Sequence, residues 1–92
     1  MPDLHIPLKG EYFDQIKAGM KPYEYRETTP YWRKRLVGRD YDSIILTRGY
    51  PSREDNERRM KLPYRGFRVM DITHPHFGPK PVEVFAIDVR PT

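Results

Sequence analysis

Lys21, Glu24 and Arg26 put an ammonium, a carboxylate and a guanidinium within the eight-residue stretch Gly19-Met20-Lys21-Pro22-Tyr23-Glu24-Tyr25-Arg26. Brought together, they can move a proton. A lysine beside an arginine loses part of its preference for the charged form. A nearby carboxylate restores that preference and can itself take or give a proton. Extended alternation sets Glu24 and Arg26 on one strand face and Tyr23 and Tyr25 on the other. Lys21 shares the tyrosine parity, but it precedes Pro22 and belongs to the turn. The three charges can therefore converge on one cleft. The plainer alternative is an exposed ion-pair strand, which stabilises little.

Other chemistry is thinner. His74 and His76 flank Pro75, and either has a side chain suited to general acid or base work near neutral pH. With Asp71 they make a weak zinc set, since no second ligand cluster accompanies them, and Pro75 alone explains a turn; no metal is expected. Ser43 and Ser52 lack nucleophile-elbow glycines. No Walker or Rossmann glycine-rich loop is present, and nothing in the sequence asks for a cofactor.

The elements that position these residues follow from periodicity. Leu4, Ile6 and Leu8 alternate, which predicts a strand over 4–8. Residues 10–18 predict a helix burying Phe13 and Ile16, with Tyr12 and Met20 beside them, and Gly19 ends it. The charged strand spans 23–27. Thr29-Pro30 is a helix start, and the helix runs over 30–37 with Trp32 and Leu36 inward. Residues 43–48 predict a central strand that delivers Arg48, Gly49 and Tyr50 at its end.

Residues 52–60 are too polar for core; Ser52 and Asp55 predict either a short capped helix or a mobile loop. Apolar residues on both parities over 64–73 predict a strand with a bulge near Val69-Met70. Residues 74–81 read as a rigid turn and 82–89 as the last strand. Phe85, Ile87 and Val89 fall on one side of it, Val84 and Ala86 on the other.

A chain of 92 residues forms one domain, 1–92, with a small core. Seven tyrosines, four phenylalanines and one tryptophan must carry much of the burial. The absence of cysteine excludes disulfides and thiolate metal sites and fits a reducing compartment. Neither a signal peptide nor a membrane span is read, so a cytoplasmic location is expected. The net charge of +4 is uneven: residues 26–68 hold twelve Lys or Arg against six Asp or Glu. An Arg- and Tyr-rich segment suits a polyanion, with charge for phosphates and rings for bases.

The first strand, the helix over 10–18 and Gly19-x-Lys21-x-x-Glu24-x-Arg26 resemble the signature of the ASCH domain family, whose GxKxxExR motif follows a strand and helix in this arrangement. Arg48-Gly49 and the final Val84 to Val89 are compatible with it. The resemblance covers nearly the whole chain, and its specificity lies in residues 4–26. It implies an α+β, PUA-like fold: a small curved five-stranded β-barrel with two flanking helices. It also implies RNA in the cleft lined by the motif, and in some relatives cleavage of single-stranded RNA. An amidohydrolase branch removes acyl groups from modified cytidine through a pattern like GxKxxTxR, with lysine and threonine catalytic. Lys21 carries over; Glu24 stands where that branch has threonine. For that branch's later glutamate the candidates are Glu57 and Glu83.

Three function classes follow. In an RNA-binding domain, Lys21, Arg26, Arg33 and Arg48 meet phosphate, Tyr50 or Tyr25 stacks on a base, and Glu24 orients Lys21 or reads a base edge. In a hydrolase using the same cleft, on RNA or on a nucleoside such as N4-acetylcytidine, Lys21 stabilises an oxyanion or acts as base and Glu24 shuttles the proton. In a protein-interaction module, the basic face meets an acidic partner.

Overall fold

A computed structural model of the chain describes residues 2–90, with only the backbone of His76. In chain order it contains β1 (Asp3–Leu8), α1 (Gly10–Lys17), β2 (Tyr23–Glu27), α2 (Pro30–Leu36), β3 (Ser43–Arg48), β4 (Arg59–Pro63), β5 (Phe67–His74) and β6 (Gly78–Asp88). Short 3₁₀ turns occupy Asn56–Arg58 and Pro75–Phe77.

The strands form two three-stranded sheets, β1-β3-β4 and β2-β6-β5. β1 runs parallel to β3, joined by a crossover that carries α1, β2 and α2; the other pairings are antiparallel. The α+β class agrees with expectation. The single five-stranded barrel does not: among the described residues there are six strands in two sheets, and they do not close.

The added strand is β4, which begins inside the 52–60 stretch expected to be a short helix or a loop. Met60 and Leu62 alternate there and pack on the core, while β3 supplies the backbone partners. The short helix before it starts after Asp55, not at Ser52.

Local signals set most element ends. Gly19 adopts φ +78 after α1, and its N–H donates to the Ile16 carbonyl at 3.0 Å. Thr29 Oγ1 accepts from the Trp32 N–H at 3.4 Å, with Pro30 in the first helical position. The Tyr41 hydroxyl donates to the Arg35 carbonyl near the other end of α2. Met20, expected beside the buried stripe, is 78% exposed, because it lies past the helix end.

β5 begins at Phe67 rather than Tyr64, after Gly66 turns the chain at φ +87. Its pairing with β6 is unbroken from Phe67 to Ile72, so there is no bulge at Val69-Met70; the irregularity falls between Ile72 and His74. Val69 and Met70 are both exposed although they pair with the buried Phe85 and Val84, because β5 is the edge strand of its sheet. Parity carries no burial information there. β6 starts four residues earlier than expected, taking in the second half of the supposed turn. Its Pro79 and Pro81 lie outside the Val84–Asp88 segment that β2 pairs with, so that side of the strand loses no ladder bond to them.

One core joins both sheets. Leu4, Ile6 and Leu8 of β1, Ile44 and Leu46 of β3, and Phe85 and Ile87 of β6 meet Phe13 and Ile16 of α1 and Leu36 of α2. Val84 and Ala86 are also fully buried, so β6 is covered on both faces. No helix among the described residues is long and apolar enough to cross a membrane.

Candidate functional site

Glu24 pairs across the sheet with Ile87, and Arg26 with Phe85. Residues opposite each other in an antiparallel pair share a face. Glu24 and Arg26 therefore project from the core side of their sheet. They remain reachable because β2 is an edge strand. Burying an ionised carboxylate costs several kcal/mol (an order-of-magnitude figure) unless it is paired.

Glu24 is paired: its side chain is 6% exposed, and Oε2 accepts from Arg26 Nε at 3.0 Å and lies 3.0 Å from Arg26 Nη2. Arg26 Nη2 also donates to the Pro7 carbonyl at 3.0 Å, which ties β2 to β1 of the other sheet. The Trp32 ring on α2 covers the guanidinium at 5.0 Å.

Lys21 completes the group from the turn before β2. Its Nζ lies 3.9 Å from Glu24 Oε1, and its side chain is 13% exposed. The ammonium also faces the Tyr25 ring at 4.5 Å and the Tyr12 ring at 5.4 Å. Burial lowers the Lys21 pKa; Glu24 opposes this and Arg26 adds to it. Burial, with the Glu11 and Glu24 carboxylates, raises the Tyr12 phenol.

These residues border a cavity of about 470 Å³. Tyr12 of α1, His74 at the end of β5, and Phe77 form one run of rings, with centroids 6.2 Å and 6.0 Å apart. Tyr31 and Trp32 of α2 supply another edge-to-face pair at 5.2 Å. Pro7, Lys9, Glu27 and Thr29 also line the cavity. The volume is in the range of small-molecule sites.

Of the residues expected to act, Lys21, Glu24, Tyr25, Arg26 and His74 border this cavity. Arg33, Arg48 and Tyr50 do not. Arg33 Nε donates to the Thr28 carbonyl, and its Nη2 lies 3.5 Å from Glu83 Oε1, a carboxylate that also accepts from the Thr28 hydroxyl. Glu83 is thus held beside Thr28 and Arg33 and does not border the cavity. Arg48 pairs with Asp14 at 3.3 Å, lying over Gly10, where a Cβ would meet its guanidinium at 2.6 Å. Tyr50 is 91% exposed. The His76 side chain lies outside the described residues, and among those described no three His, Asp or Glu gather to hold a metal.

Tyr12, Tyr31, Trp32 and Phe77 are the residues that sequence reasoning did not assign to the site. Tyr12 sits one residue from the Phe13–Ile16 stripe, so it faces sideways rather than inward. That offset was visible in the sequence; what lay beside it was not. Trp32 packs on the core and lines the cavity at once.

The depressed Lys21 pKa gives a measurable expectation. Its contribution to stability is most favourable above the ordinary lysine value and is lost as pH falls through the folded-state value, where the buried amine must charge. A ¹⁵N-resolved titration of the side-chain amine should place Lys21 below that ordinary value, and Glu24→Gln should push it lower still. An unchanged titration in that variant would show that the two groups are not coupled.

Comparison with protein-family models, with curated proteins and with solved structures returns no match.

Proposed function

We propose that this domain binds single-stranded RNA or a modified nucleoside, with one base inside the 470 Å³ cavity. The observation that carries this reading is the combination of four aromatic rings, from Tyr12, Tyr25, Tyr31 and Trp32, with the Lys21 and Arg26 cations in a space fit for one nucleoside. Rings stack on a base of any sequence; cations meet the phosphate or a base edge. Glu24 holds the two cations at fixed places. Arg33 and Arg48, outside the cavity and exposed, then serve the backbone beyond the bound nucleotide by exchanging Glu83 and Asp14 for phosphate. Tyr50 offers an outer ring beside Arg48. The ASCH resemblance supports the same reading through the Gly19-Lys21-Glu24-Arg26 motif, and a cytoplasmic setting suits it.

A second reading, hydrolysis in the same cavity, is favoured by the lowered Lys21 pKa beside Glu24. In its deprotonated form the Lys21 amine can take a proton from water or a ribose hydroxyl as that oxygen attacks. His74 at the rim is a further acid or base. The substrate is then single-stranded RNA or an acylated nucleoside such as N4-acetylcytidine.

Fluorescence anisotropy with single-stranded RNA and duplex DNA tests the binding reading. RNA should bind more tightly, and raising salt should weaken it with a log–log slope of about −0.7 per phosphate neutralised. Equal affinity for duplex DNA, or no dependence on salt, would sink the proposal and leave a basic protein-binding face as the better account. Mass spectrometry after incubation with RNA and with acetylcytidine separates binding from turnover.

A further inference from the structure

The second sheet has another charged hollow at its opposite end, where β2 and β5 begin and β6 ends. It encloses about 160 Å³ and is lined by Tyr23, Arg65, Gly66, Arg68, Asp88 and Arg90 among others. Gly66 turns the chain at φ +87, and its carbonyl accepts the Asp88 N–H at 3.1 Å. That bend brings Arg65 and Arg68 to the same opening.

Asp88 is already occupied. Arg90 Nε donates to its Oδ1 at 3.1 Å, Arg90 Nη2 to Oδ2 at 2.7 Å, and the Arg90 backbone N–H to Oδ1 at 3.0 Å. The Arg90 hydrogen bond, with a smaller pull from Arg65, holds the Asp88 carboxyl below the usual value. The fork fixes Arg90 with its guanidinium 5.9 Å from the Tyr23 ring. Among the described residues, neither Arg65 nor Arg68 makes a side-chain hydrogen bond or ion pair. Three guanidiniums against one carboxylate leave a surplus of two positive charges around the hollow.

We propose that Arg65, Arg68 and Arg90 form a second anion site, built to take a phosphate group. Guanidinium forks match phosphate oxygens in pairs. Asp88 takes the Nε and Nη2 edge of Arg90 and so fixes that side chain, which leaves Arg65 and Arg68 to supply the open forks and Arg90 its remaining donors. The hollow has room for one such group and not for a base as well. Its source is either free phosphate or a phosphodiester of a longer chain. The second source rests on the RNA reading above. It has a geometric basis: Tyr23 lines this hollow and Tyr25 the main cavity, about 7 Å apart on one face of β2. A strand with one base in the main cavity would run its neighbouring phosphate toward the arginines.

The test follows backbone amide resonances of the full chain during titration with inorganic phosphate, with chloride added to hold ionic strength constant. Saturable shifts should appear at Gly66, Phe67, Arg68 and Arg90. They should vanish in the Arg65→Ala/Arg68→Ala double variant and persist in Lys21→Ala. Both substituted side chains are exposed, so a melting curve should confirm an intact fold. No saturable shift at Gly66 to Arg68, or equal shifts in the double variant, would overturn the proposal.

A short single-stranded oligonucleotide then identifies the source. If the double variant binds it about tenfold more weakly, with a salt slope shallower by about 1.4, the ligand is a phosphodiester. If oligonucleotide affinity is unchanged while the phosphate response holds, free phosphate is the ligand. Failure of the main-cavity reading would show instead as intact binding in Lys21→Ala.

Discussion

Glu24→Ala should lower the stability of this domain by about 3 kcal/mol, the cost of leaving a partly buried charge without its partner. For a domain of this size that is a fall in melting temperature of roughly 15 °C. The reason is position. Glu24 shares the core face with Ile87, its side chain is 6% exposed, and both Lys21 and Arg26 lie within ion-pair distance of it. Without the carboxylate, two like charges face each other at the margin of the core. Arg26 also bridges to Pro7 of the other sheet, so its displacement would loosen the join between the sheets. Glu24→Gln keeps the shape and some hydrogen bonding, and should lose less. A melting temperature for Glu24→Ala within about 3 °C of the parent would mean that the ion pairs are solvated decoration.

Lys21→Ala should have the opposite profile: a large functional effect and a small structural one. Its removal takes a charge away from Glu24 but also relieves its own burial and its repulsion from Arg26. These effects offset, and the melting temperature should move by only about 4 °C or less. Affinity for single-stranded RNA should fall about tenfold, which is roughly 1.4 kcal/mol. Any hydrolysis should fall a hundredfold or more, the usual contribution of a positioned acid or base. Lys21→Arg divides the two readings. Arginine keeps the charge but does not give up its proton, so binding should largely survive and turnover should not. Unchanged RNA binding and unchanged turnover in Lys21→Ala would remove the functional reading of this cavity altogether.

The Lys21, Glu24, Arg26 group was legible because it is local. A proline and a glycine set the turn, strand alternation sets two of the charges, and all three are within six residues. The same holds for the Thr29-Pro30 start of α2, the Gly19 stop of α1, and the alternation of β1 and β3. Each rests on interactions spanning one helical turn or one strand. The cavity walls were not legible in this way. Tyr12, Trp32 and His74 come from a helix, a second helix and a strand end, and nothing in the spacing of any one of them specifies the other two.

The charged residues divide along the same line. Arg33 and Arg48 were expected to meet phosphate from a helix and from a strand end, but partners 50 and 34 residues away in the chain hold them outside the cavity. Arg65, Arg68 and Arg90 drew no attention in the sequence, yet a turn at Gly66 and the end of β6 bring them to one hollow. β4 has a readable Met60-x-Leu62 alternation, but its charges hid it until β3 supplied the pairing.

What this sequence determined by itself is the kind and order of its first elements and one triad of charges, because caps, turns and alternation act over a few residues. Which charges meet, which rings enclose them, and that six strands split into two sheets were decided only by tertiary structure, because burial and ion pairing depend on what lies across the core, not along the chain.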